Sequence, residues 1–66
     1  GFDSRKEDPL GCFDVTDDAF RRMTRTAMDV ADQYCDGRLV SLLEGGYNIE
    51  GLAKATVAHV STLVEI

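Results

Sequence analysis

Arg38-Leu39-Val40-Ser41-Leu42-Leu43-Glu44-Gly45-Gly46-Tyr47-Asn48, RLVSLLEGGYN at 38–48, is the stretch on which the fold turns. Leu39 to Leu43 is almost uniformly apolar and too short for a helix, which suits a strand over 38–43 buried on both faces of a parallel sheet. Gly45 and Gly46 then permit backbone conformations and close approaches denied to other residues. Residues 44–48 are therefore a loop at the carboxyl end of a strand, the place where open α/β sheets bind their ligands.

Downstream, Asn48 can cap a helix, and Leu52, Ala55, Thr56, Val57, His59, Val60, Leu63 and Val64 make 49–65 a broadly apolar helix. Upstream, Gly37 is a left-handed cap that closes a helix at 16–36. Thr16 is its N-cap, and Asp17 and Asp18 favour the positive end of its dipole. Within it Phe20, Met23, Ala27, Val30, Ala31 and Tyr34 recur at steps of three and four, while Arg21, Arg22, Arg25, Asp29 and Asp32 fall largely opposite. Residues 1–15 (GFDSRKEDPLGCFDV) hold the only proline and two of the six glycines and read as a loop, with Asp8-Pro9 in a turn.

Loop, helix, buried parallel-type strand, glycine turn and helix form part of an α/β layered unit. One strand is not a sheet. Partner strands must come from other segments or from a second copy of the chain.

Size and charge narrow the function. A chain of 66 residues is at most one small domain, and folding buries only about 60% of its extended surface. No apolar run approaches the roughly 18 residues of a membrane helix. A formal charge of −5 without a lysine or arginine cluster argues against nucleic acid. Cys12 and Cys35 are not in a C-x-x-C pair and have no histidine at ligand spacing, so two buried thiols in a reducing compartment, with a cytoplasmic default, are expected. The chain opens at Gly1 inside a motif-like stretch and is expected to be cut from a longer product.

Taken singly, the candidate site residues have bland explanations. Asp3 suits a loop cap or a solvated carboxylate, and Asp8 a turn. Tyr47 suits a buried anchor ring. His59 has no histidine or carboxylate partner at i±4 and reads as a packed or surface residue.

Jointly, GFD…DPLG at 1–11, the Thr16-x-x-x-Phe20 helix start and a strand running into LEGGYN at 43–48 resemble the histone deacetylase, acetylpolyamine amidohydrolase and acetoin-utilisation superfamily, over nearly the whole chain. The resemblance implies the C-terminal part of an arginase-deacetylase type three-layer catalytic domain, hydrolysing the acetyl amide of an acetyl-lysine or acetylated polyamine. It makes Asp3 an aspartate ligand of a catalytic Zn2+ and Tyr47 the donor that stabilises the oxyanion. Pro9 and Leu10 would line the tunnel for the substrate's aliphatic stem. Gly45 and Gly46 would let substrate approach the backbone.

The same resemblance marks what the chain lacks. An Asp-x-His pair on the metal and a proton-moving histidine pair are absent, and Ser4-Arg5 replaces the alanine-histidine of bacterial members. Hydrolysis and zinc binding by these 66 residues alone are therefore not expected. The rival from another class is a non-catalytic module from a truncated deacetylase gene, self-associating through 39–43.

Overall fold

A computed structural model describes residues 1–65. Two helices dominate it, α1 at Asp17–Tyr34 and α2 at Ile49–Leu63, preceded by a 3-10 turn at Phe2–Ser4. Each helix is started by a side chain that satisfies an orphan amide. Thr16 accepts from the Ala19 amide at α1, and Asn48 accepts from the Gly51 amide at α2. Among the described residues no helix is long and apolar enough to cross a membrane.

The first fifteen residues form a closed loop. Lys6 N donates to Val15 O at 2.9 Å and Val15 N donates to Ser4 O at 3.1 Å, which sets Arg5 beside Val15 in an isolated parallel bridge. The nine residues between those positions carry the Asp8-Pro9-Leu10 turn.

The helix interface depends on small residues. Gly51, Ala55, Ala58 and Thr62 of α2 are buried, as are Phe20, Thr24 and Ala31 of α1. Phe2 docks its ring edge-on against Phe20, with centroids 5.3 Å apart, and also against His59. The core is thin, because no large side chain is fully buried. The apolar stripe expected along α1 is wider than one neighbouring helix can cover, so Met23, Val30 and Tyr34 stay exposed.

The strand expected at 38–43 has no strand partner among the described residues, which form two helices and no α/β layer. No backbone hydrogen bond outside the helices uses an amide or carbonyl of residues 39–43. Val40 and Leu42 are more than four-fifths exposed. A strand is defined by pairing, and nothing here can pair with this segment. The cysteines also depart from expectation, since Cys12 and Cys35 are both exposed. Each sits on backbone that neither helix covers, in the loop and at the end of α1.

One ion pair ties the loop to α1. Arg5, only 6% exposed, meets Asp17 with both fork positions, Nε to Oδ1 at 2.8 Å and Nη2 to Oδ2 at 3.0 Å. Its Nη1 also donates to the Lys6 carbonyl. The hydrogen bonds from Arg5 hold the Asp17 carboxyl below the usual carboxylate range, against the opposing effect of burial. A depressed carboxyl stabilises the fold above its unfolded pKa of about 3.9, and that contribution fades as pH falls through the lower folded value. Asp17→Asn should therefore lower the urea midpoint at pH 7 by the equivalent of about 1.5–3 kcal/mol, the range for hydrogen bonds to charged groups. The two stability curves should converge towards pH 2. A gap that persists undiminished there would count against this origin.

Candidate active site

Two loops, 1–15 and 44–48, meet over the start of α2. Asp3 is the middle residue of the 3-10 turn, and its carboxylate lies on the backbone of Gly45. A Cβ built at Gly45 would stand 2.8 Å from Asp3 Cγ and 2.9 Å from Oδ1. Gly45 also has φ of 77°, which side chains rarely adopt, so glycine is required here twice over. Gly46 packs against Leu52 and Phe2, where a Cβ would lie 2.7 Å from Leu52 Cδ1. At the far side, Gly11 lies against the Asp3 carbonyl with no room for a side chain.

Asp3 itself is half-buried and makes no hydrogen bond or ion pair among the described residues. The nearby guanidinium of Arg5 is committed to Asp17. A half-buried carboxylate without a partner fits a cation that the remainder of a site would help to hold. Among the described residues no group of three or more His, Cys, Asp or Glu side chains gathers to hold a metal.

Asp8 does more than shape a turn. Its Oδ1 accepts from the amides of Leu10 and Gly11, both at 2.9 Å, which is the expected Asx-type turn around Pro9. Its Oδ2 reaches across to the second loop and accepts from the Tyr47 amide at 2.8 Å. Partial burial pushes the Asp8 carboxyl up, but the Tyr47, Gly11, Leu10 and Asn48 amides outweigh it and hold it below the usual range. Beside it, Asn48 has a second task, because its Nδ2 donates to the Glu7 carbonyl at 3.1 Å while its Oδ1 caps α2. Glu7 has φ of 70°, a conformation costly for a residue with a side chain and held here by that contact.

The structure thus brings Asp3, Gly45 and Gly46 together and places Tyr47 next to Asp8. Tyr47 is half-exposed, and its hydroxyl has no hydrogen-bond partner among the described residues. Pro9 and Leu10 are exposed on the rim of the same loop, without a facing wall to make a tunnel. His59 is separated from this cluster by Phe2, whose ring it meets edge-on. Thr24 Oγ1 donates to the Phe20 carbonyl, so it accepts from His59 Nδ1 at 2.7 Å; Nε2 of the neutral ring is then left to accept from Ser41 Oγ, also at 2.7 Å. That histidine holds the 38–43 segment against both helices.

Asp8 and Asn48 are the residues that reading by sequence undervalued. Asp8-Pro9 signals a turn, and a turn uses only one carboxylate oxygen. Nothing in the local sequence indicates where the other goes, 39 positions along the chain.

Residues 1–63 match the family model described as the histone deacetylase domain. The chain belongs to the histone deacetylase family. Within that family it is 48% identical over 65 residues to Type-2 histone deacetylase 1 of Dictyostelium discoideum, covering 98% of this chain and 4% of that protein. It is 39% identical over 64 residues to Histone deacetylase 15 of Arabidopsis thaliana, covering 97% of this chain and 11% of that protein. With a Histone deacetylase-like amidohydrolase of Pseudomonas aeruginosa the identity is 44% over 48 residues, or 73% of this chain and 13% of the relative. The chain therefore spans a small part of the length of the curated relatives it matches. No solved structure matches it at a significant level.

Proposed function

We propose that this chain contributes part of the active site of a zinc-dependent deacetylase that hydrolyses the acetyl amide of an acetyl-lysine or acetylated polyamine. The observation that carries this is the unpartnered Asp3 carboxylate seated on the Gly45 backbone, two residues from a tyrosine whose hydroxyl is free. A deacetylase needs a metal ligand and an oxyanion donor close together, and this segment of a histone deacetylase domain offers one of each.

In the proposed site Asp3 gives one carboxylate oxygen to Zn2+. When bound, zinc supplies the Lewis acidity that polarises the acetyl carbonyl and lowers the pKa of water. Tyr47 donates its hydroxyl hydrogen bond to the carbonyl oxygen as negative charge develops there. Pro9 and Leu10 give apolar surface for the aliphatic stem of the substrate, and Gly45 and Gly46 keep the approach to the backbone open. Water adds to the carbonyl, the C–N bond breaks, and acetate and the free amine leave. The remaining metal ligands and the proton-moving base belong to segments outside these 66 residues.

The unpaired apolar segment at 39–43 supports completion of an arginase-deacetylase type sheet by those segments. The same exposed edge favours, as the second reading, a non-catalytic module that pairs with its own copies.

Hydrolysis of a fluorogenic acetyl-lysine substrate and of an acetylated polyamine by the complete domain separates the two. Turnover that a chelator abolishes and zinc restores is the expected result. A zinc-free, inactive oligomer would sink the deacetylase reading in favour of the module.

A further inference from the structure

We propose that Asp8 is a positioning residue for Tyr47, a role that rests on the deacetylase reading of the site. One carboxylate bridges the loop that carries Pro9 and Leu10 and the loop that carries Tyr47. Oδ1 holds the Leu10 and Gly11 amides at 2.9 Å, and Oδ2 holds the Tyr47 amide at 2.8 Å. The wall that would hold the acyl-amine stem and the donor that would meet its carbonyl are therefore set relative to one another by a single planar group.

Three further features make this bridge specific. Tyr47 has no other anchor at its tip, because its hydroxyl is unpaired and its ring is half-exposed, so its placement depends on its backbone. Gly45 and Gly46 precede it with φ of 77° and 120°, and two glycines in succession leave the backbone free to wander unless something fixes it. Asn48 Nδ2 donating to the Glu7 carbonyl makes a second cross-loop contact beside the first. The costly φ of Glu7 places that carbonyl and the Asp8 carboxylate opposite the tyrosine loop. Charge-assisted bonds from ionised carboxylates to backbone amides are the stronger kind, which suits a clamp.

Asp8→Asn separates the two halves of the bridge. Asparagine keeps one acceptor oxygen for the Leu10 and Gly11 amides, but presents an NH2 donor to the Tyr47 amide. In the complete domain the expected result is a fall in kcat of about 10- to 100-fold, the scale on which small misplacements act. KM and zinc content should hold. In a Tyr47→Phe background the same substitution should cost almost nothing more, because there is no hydroxyl left to misplace; a merely structural role would cost the same in both backgrounds.

Hydrogen exchange gives a readout that needs no turnover. The Tyr47 amide of the unsubstituted domain should exchange slowly, and in Asp8→Asn it should exchange faster while the amides of α1 and α2 keep their protection. An unprotected Tyr47 amide in the unsubstituted domain, or an Asp8→Asn loss of equal size in both backgrounds, overturns the positioning role. If Tyr47→Phe is itself harmless in an active domain, it is the placement of Tyr47 in the site that fails, whereas a harmless Asp8→Asn beside a damaging Tyr47→Phe overturns Asp8 alone.

Discussion

Replacing Tyr47 by phenylalanine in the complete domain should lower kcat by about 100- to 1,000-fold, the usual consequence of removing one oxyanion donor. The loss would arise from a single hydrogen bond that strengthens as the acetyl carbonyl gains charge. The Tyr47 hydroxyl has no partner among the described residues and its ring is half-exposed, so phenylalanine leaves the Asp8 bridge, which uses only the backbone amide, intact. Thermal stability and zinc content should match the unsubstituted domain, and KM should move little, since the bond is made chiefly in the transition state. Steady-state kinetics with an acetyl-lysine substrate, run beside metal analysis, check all three. A drop in kcat accompanied by loss of zinc would mean that Tyr47 supports the fold of the site instead.

Asp3→Asn should be as damaging by another route. The amide oxygen keeps the size of the carboxylate and loses its charge, leaving a poor zinc ligand. Bound zinc should fall and turnover with it, and raised zinc concentrations should recover part of both. Stability offers an independent check. A metal that binds only the folded form stabilises it by about 4 kcal/mol at a thousand times its dissociation constant. The unsubstituted domain should therefore lose far more of its melting temperature on chelation than the variant does. Once both are metal-free, the variant should unfold no earlier, because in this structure Asp3 has no internal ion pair to lose and an unpartnered half-buried charge to shed. Equal sensitivity to chelator in the two proteins would remove Asp3 from the metal site.

Both helices were legible because their signals are local. Thr16 and Asn48 announce helix starts by side chains that reach three residues ahead, and Phe20, Ala31 and Ala55 follow from spacing alone. The meeting of Asp3 with the 44–48 loop was legible only through the resemblance, because no local rule joins positions that far apart. What could not be read was how the joining is done. The Arg5 fork on Asp17 and the second oxygen of Asp8 are contacts between loops, chosen by three-dimensional placement and leaving no periodicity behind.

The strand was read correctly as an apolar five-residue run and wrongly as a buried one, since burial belongs to partners that this stretch of chain does not contain. Its composition reported a preference; the environment that would satisfy it lies elsewhere.

That unpaired stretch has a consequence for how copies of the chain meet one another. Leu39-Val40-Ser41-Leu42-Leu43 is uncharged, free of proline and rich in side chains that interdigitate when copies stack, the recipe for a steric zipper. Arg38 on one side and Glu44 on the other act as gatekeepers, since their charges disfavour in-register stacking of identical copies. The Ser41 bond to His59 adds a tether that holds the segment on α2.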